Sequence, residues 1–169
     1  LAPPARAPLA PGQSALFDGL LANTPTWADV EWLQSITRLP VLLKGILHPD
    51  DARLAQQLGV AALVVSNHGG RTLDTVPATV LPRIAQAVPG MPLLVDGGIR
   101  RGTDVLKAMA LGASAVLVGR PYIYGLANAG AMGVAHVLRL LRDELEIAMA
   151  LPGCAQLPDI PPGLLEMRP

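Results

Sequence analysis

Ala61-Ala62-Leu63-Val64-Val65-Ser66-Asn67-His68-Gly69-Gly70-Arg71 decides how this chain is read. An apolar run with no alternation turns polar at its carboxyl end and enters a glycine turn. An unbroken apolar strand of this kind belongs in a parallel sheet covered by helices. The turn sets an imidazole, His68, three residues before a guanidinium, Arg71. Histidine moves a proton near neutral pH, and arginine grips a carboxylate with two parallel hydrogen bonds. That pair suits chemistry at the carbon next to a carboxylate.

The same pattern repeats on either side. Val41 to Gly45 reads as a short apolar strand carrying one lysine, Lys44. Pro49 to Leu58 reads as a helix with Asp50 and Asp51 in its first turn and Gly59 at its end. Thr79 to Val88, Thr103 to Leu111 and a longer amphipathic stretch from about Gly130 to Ala150 are predicted helices. That last helix has Val134, Val137, Leu138, Leu141 and Leu145 on one face. Pro92 to Asp96 and Ala115 to Val118 are predicted strands. Thr26 opens one further helix, which Pro40 closes.

Strands alternating with helices make an α/β fold, either a doubly wound sheet or part of an eight-stranded barrel. Polar residues recur at the carboxyl end of each strand: Lys44, Ser66 with His68, Asp96, and Gly119 with Arg120. Barrel active sites sit there. The last two strands end in glycine turns that open toward helices, as barrel phosphate sites do. A Rossmann sheet fits less well, since no G-x-G-x-x-G follows the first strand. The expectation is the C-terminal half, units five to eight, of a TIM (β/α)8 barrel. Residues 1–25 are read as a Pro/Ala-rich loop or linker, 26–150 as the half-barrel, and 151–169 as a tail.

Bulk properties narrow the function. The chain has 169 residues, is 51% hydrophobic and 15% charged, and balances thirteen basic against thirteen acidic residues. Neutral charge gives no footprint for nucleic acid. No apolar run reaches the ~20 residues that span a bilayer. The single cysteine, Cys154, suits a reducing compartment and points to the cytoplasm. No Cys/His spacing suggests a metal. The chain opens on Leu1 rather than methionine, which suggests a piece of a longer polypeptide.

Pro40–Gly45, Ser66–Arg71 with Leu73 and Asp74, Asp96–Gly97–Gly98–Ile99–Arg100 and Gly119–Arg120–Pro121 follow one another in order. Together they resemble the FMN-dependent L-2-hydroxy-acid oxidases and dehydrogenases, which include glycolate oxidase, lactate oxidase and mandelate dehydrogenase. The resemblance implies FMN as cofactor and a small 2-hydroxy acid as substrate. It implies His68 as the catalytic base and Arg71 as the substrate-carboxylate anchor. Lys44 would sit near flavin N1 and O2, and Ser66 would touch the flavin. Asp96, Gly97, Gly98, Ile99, Arg100, Gly119 and Arg120 would form the phosphate cradle. It also implies that the N-terminal half supplies two tyrosines and the aspartate that orients the histidine, and that the protein assembles as a tetramer.

Each assignment has a plainer rival. Lys44 suits a structural salt bridge, and Ser66 a simple strand-end hydrogen bond. Asp104 reads as a cap, His48 as a loop residue leading into a helix, and the methionines Met109, Met132 and Met149 as core or gap-filling residues. Another FMN- or phosphate-binding barrel is the rival enzyme, and a non-catalytic half-barrel fragment is the rival from another class.

Overall fold

In a computed structural model of the chain, residues 8–20, 24–71 and 77–165 are described. Leu73 and Asp74 lie outside them. The chain divides into two compact units, Leu1–Leu39 and Pro40–Pro169.

The first unit holds a six-residue π-helical segment, Ala15–Leu20, inside the stretch read as a loop. It also holds helix α1, Trp27–Ile36. Asp29 starts that helix by accepting from the Thr26 N–H at 2.6 Å and the Thr26 hydroxyl at 2.7 Å. These bonds hold its carboxyl below the ordinary carboxylate range.

The second unit is four strand–helix repeats: β1 (Leu42–Lys44), α2 (Pro49–Gln57), β2 (Ala62–Ser66), α3 (Pro77–Ala87), β3 (Leu93–Asp96), α4 (Gly102–Ala110), β4 (Ala115–Leu117) and α5 (Arg120–Ala150). All pairings are parallel, in the order β1-β2-β3-β4. Lys44 is level with Val64, Ser66 with Asp96, and Asp96 with Leu117. Side chains alternate faces along a strand, so Lys44, Ser66 and Asp96 share one face.

The core lies where β2 and β3 meet α3: Leu63, Val65, Leu81, Ile84, Val88, Leu93 and Val95 are fully buried. Burial across every strand was expected, but only β2 is buried throughout. Among the described residues β1 and β4 are the edge strands, each with one unpaired side, and Leu42 is 44% exposed. A second cluster joins Ala110, Met149, Cys154 and Ile160 beneath Leu106, Met109 and Leu145.

Three expectations need correction. Met132, read as a core residue, is 76% exposed. Leu138 is half exposed, while Val134, Val137, Leu141 and Leu145 turn inward. The last helix begins at Arg120 rather than near Gly130. Ala129 and Gly130 leave helical geometry, so α5 consists of two helical segments across a break. Gly125 and Gly133 flank that break, and a Cβ on Gly133 would lie 1.9 Å from the Gly125 carbonyl oxygen. Only glycines permit so tight a return.

Candidate active site

The site forms at the carboxyl ends of β2, β3 and β4. Beyond Ser66 the chain makes one turn of 3₁₀ helix over His68–Gly70. His68 sits at φ 55°, the one non-glycine among the described residues with positive φ. Histidine tolerates that region better than most side chains, yet it still needs holding. Two side chains hold it. The His68 N–H donates to Ser66 Oγ at 3.0 Å, and the Gly70 N–H donates to Asn67 Oδ1 at 3.1 Å. Asn67 was not singled out from sequence, although an Asn just ahead of a glycine pair is a turn signal.

A cavity of about 300 Å³ opens beside this turn. His68, Gly69 and Arg71 form one wall, Asp96 to Arg100 another, and Gly119 to Pro121 a third. His68 and Arg71 thus border one space. A Cβ on Gly69 would sit 4.0 Å from Arg120 Nη2, which brings the third wall against the first. Gly97 and Gly98 take φ 114° and 82°, backbone that carries a side chain only under strain. Ile99 is buried behind them.

Three arginines, Arg71, Arg100 and Arg120, line this space, and among the described residues none pairs with a carboxylate. The two helix starts nearby differ. The N–H groups of Arg100 and Arg101, ahead of α4, both donate to Asp104 Oδ2 at 3.0 Å. Asp104 is therefore a cap. The start of α5 has no side-chain cap, so the positive end of that helix faces the cavity wall. Unpaired guanidiniums, open glycine backbone and an uncapped helix start fit a phosphate monoester.

Lys44 and Ser66 line a neighbouring cavity of about 410 Å³, which shares His68 with the first. Lys44 Nζ lies 2.7 Å from Asp96 Oδ2 and donates to Ser66 Oγ at 2.8 Å. Ser66 donates to the same carboxylate oxygen at 2.6 Å. Burial pushes the Asp96 carboxyl up. The hydrogen bonds from Lys44 and Ser66, with the charges of Lys44 and His68, outweigh it and hold the group below the usual carboxylate range. The salt bridge weighed for Lys44 is thus present, and its partner is another residue of the candidate site.

A family model described as FMN-dependent dehydrogenase matches residues 5–167. The chain belongs to the FMN-dependent dehydrogenase family. It is 56% identical to an L-lactate oxidase of Alicycliphilus denitrificans over 160 residues, 93% of this chain and 44% of that protein. It is 53% identical to glycolate oxidase 1 of Zea mays over 152 residues, 88% of this chain and 41% of that protein. A crystal structure of mandelate oxidase with (S)-2-phenylpropionate superposes with a TM-score of 0.78 at 52% identity. The match covers 82% of this chain and 42% of that one. The chain therefore spans less than half the length of these relatives, and its four parallel units are half of a (β/α)8 barrel. The phosphate-suited cavity agrees with a family that uses FMN. No helix among the described residues is long and apolar enough to cross a membrane.

Proposed function

We propose that this chain carries the FMN phosphate site, the base and the carboxylate anchor of an enzyme that oxidises an L-2-hydroxy acid to the 2-oxo acid. The observation that carries the reading is the shared cavity of His68 and Arg71 with the Gly97–Arg100 and Gly119–Arg120 turns. Arg71 takes the substrate carboxylate in a planar two-bond grip, which fixes the α-carbon. His68 accepts one proton from the substrate as two electrons leave. Arg100, Arg120, Gly97, Gly98 and Gly119 hold the cofactor phosphate, with Asp96 and Ile99 shaping that wall. Lys44 and Ser66 meet the flavin from the neighbouring cavity, where the ammonium favours negative charge on the ring. FMN, when bound, supplies the two-electron acceptor. The oxidase names of the relatives favour oxygen as the final acceptor.

We further propose that the N-terminal half of the same protein pairs with the open edges of β1 and β4, completing the barrel and the side-chain pocket. The exposed edges and the length of the relatives support this. Residues 26–150 are then the half-barrel module. The assembled protein is a homo-tetramer on the family resemblance, and its single cysteine suits the cytoplasm.

Replacing His68 with Gln tests the reading. The imidazole is lost while the phosphate cradle is untouched, so FMN absorbance stays and turnover falls by about 10²–10⁴-fold. Turnover within a few-fold of the parent enzyme removes His68 from the base role.

A further inference from the structure

We propose that Ser66 is a positioning residue whose hydroxyl ties the Lys44–Asp96 ion pair to the left-handed turn at His68. This rests on the reading of His68 as the base. A serine hydroxyl offers one donor and two acceptor sites. Lys44 Nζ and the His68 N–H can only donate, and they reach Ser66 Oγ at 2.8 and 3.0 Å. The hydroxyl hydrogen is therefore committed to Asp96 Oδ2, 2.6 Å away. All three sites are filled. Holding these three partners is a task of the serine alongside its place beside the flavin.

Burial makes the junction matter. Ser66 is 2% exposed, and water does not readily replace a lost hydroxyl there. Its bond to the N–H two residues on is a short side-chain-to-backbone turn. That bond helps keep His68 at φ 55°. The same oxygen sits between Lys44 on β1 and Asp96 on β3, so the charge pair and the base share one anchor.

The test compares Ser66→Ala and Ser66→Thr with the parent protein, labelled with ¹⁵N. Amide exchange at His68 is expected to quicken about tenfold in Ser66→Ala and to stay near the parent rate in Ser66→Thr, which keeps the hydroxyl. Exchange at Leu63 and Val65 reports whether the strand itself is intact. In flavin-loaded protein kcat falls about tenfold or more while KM stays within about twofold, because Arg71 is untouched. If Ser66→Ala fails to fold, Ser66→Cys keeps the side-chain shape at a somewhat larger volume with only a weak acceptor, and the same loss of His68 protection is expected. Unchanged His68 exchange in a folded Ala or Cys variant overturns the proposal. Fast exchange with unchanged kcat upholds the tether and instead counts against His68 as the base.

Discussion

Lys44 Nζ and Asp96 Oδ2 lie 2.7 Å apart although their strands, β1 and β3, are not neighbours. Strand β2 runs between them, and Ser66 at its end bonds both. The pair therefore links three strands at the mouth of the site, and it leaves a signature in the pH dependence of stability. The folded protein holds the Asp96 carboxyl below the usual range, mainly through Lys44 and Ser66 acting against burial. Folding thus favours the ionised form. Its contribution is fully present above the unfolded value near ~3.9 and is lost as pH falls through the folded value. Asp96→Asn lacks it. Urea midpoints of parent and variant should differ most above about pH 5 and converge as pH falls through the folded value. A gap that stays constant over that range would show that Lys44 does not stabilise the carboxylate.

Arg120 faces Gly69 from the opposite wall of the cavity and pairs with no carboxylate among the described residues. A charge-assisted bond to phosphate contributes about 1.5–3 kcal/mol. Arg120→Ala should therefore weaken FMN binding about 10–100-fold. Riboflavin, which lacks the phosphate, should bind the variant and the parent alike. Flavin fluorescence titration reads both, and an equal loss for the two ligands would separate Arg120 from the phosphate.

Arg71 follows two glycines on the wall that His68 also forms. Lysine there keeps the charge but loses the planar fork. Arg71→Lys should raise KM for a 2-hydroxy acid about tenfold or more, with FMN affinity unchanged. Steady-state kinetics with lactate, glycolate or mandelate as substrates measure it. A fall in kcat alone, with KM unmoved, would point away from a carboxylate anchor.

Much of this architecture is legible in residue order. Apolar runs ending in Lys44, Ser66 and Asp96 mark strands whose carboxyl ends carry polar groups, and those strands form within a residue or two of their predicted bounds. What sequence leaves out is lateral. No pattern along the chain shows that Lys44 pairs with Asp96, because the two meet only through the register of three strands. Periodicity also misses the first segment of α5, where Gly125 and the break at Ala129–Gly130 dilute the helical pattern. Pro121 in its first turn is the signal that marks its start. The exposure of β1 escapes a reading from composition, since an apolar edge strand and an apolar central strand look the same.

The turns that carry Arg100 and Arg120 lead into α4 and α5, and Gly102 joins those helices closely. The Gly102 N–H donates to Glu144 Oε2 at 2.8 Å. A Cβ on Gly102 would lie 2.1 Å from the Leu145 nitrogen and 2.4 Å from the Glu144 carbonyl carbon. Both obstacles are backbone, so no rotamer relieves them and the helices must part. Gly102→Ala should lose about 3 kcal/mol or more, at or beyond the upper end for overpacking. Gly90→Ala is the control: its Cβ meets nothing within 4 Å, and only its φ of 81° opposes a side chain. That strain costs about 1–2 kcal/mol. At about 2–4 °C per kcal/mol for a chain of this size, Gly102→Ala should melt at least ~6 °C below the parent. Gly90→Ala should fall by a smaller amount. Because the same separation shifts the turn ahead of α4, Gly102→Ala should also weaken FMN binding while Gly90→Ala does not. Equal melting points for the two variants would mean that α4 and α5 part without loss, and that their contact does not hold the cradle.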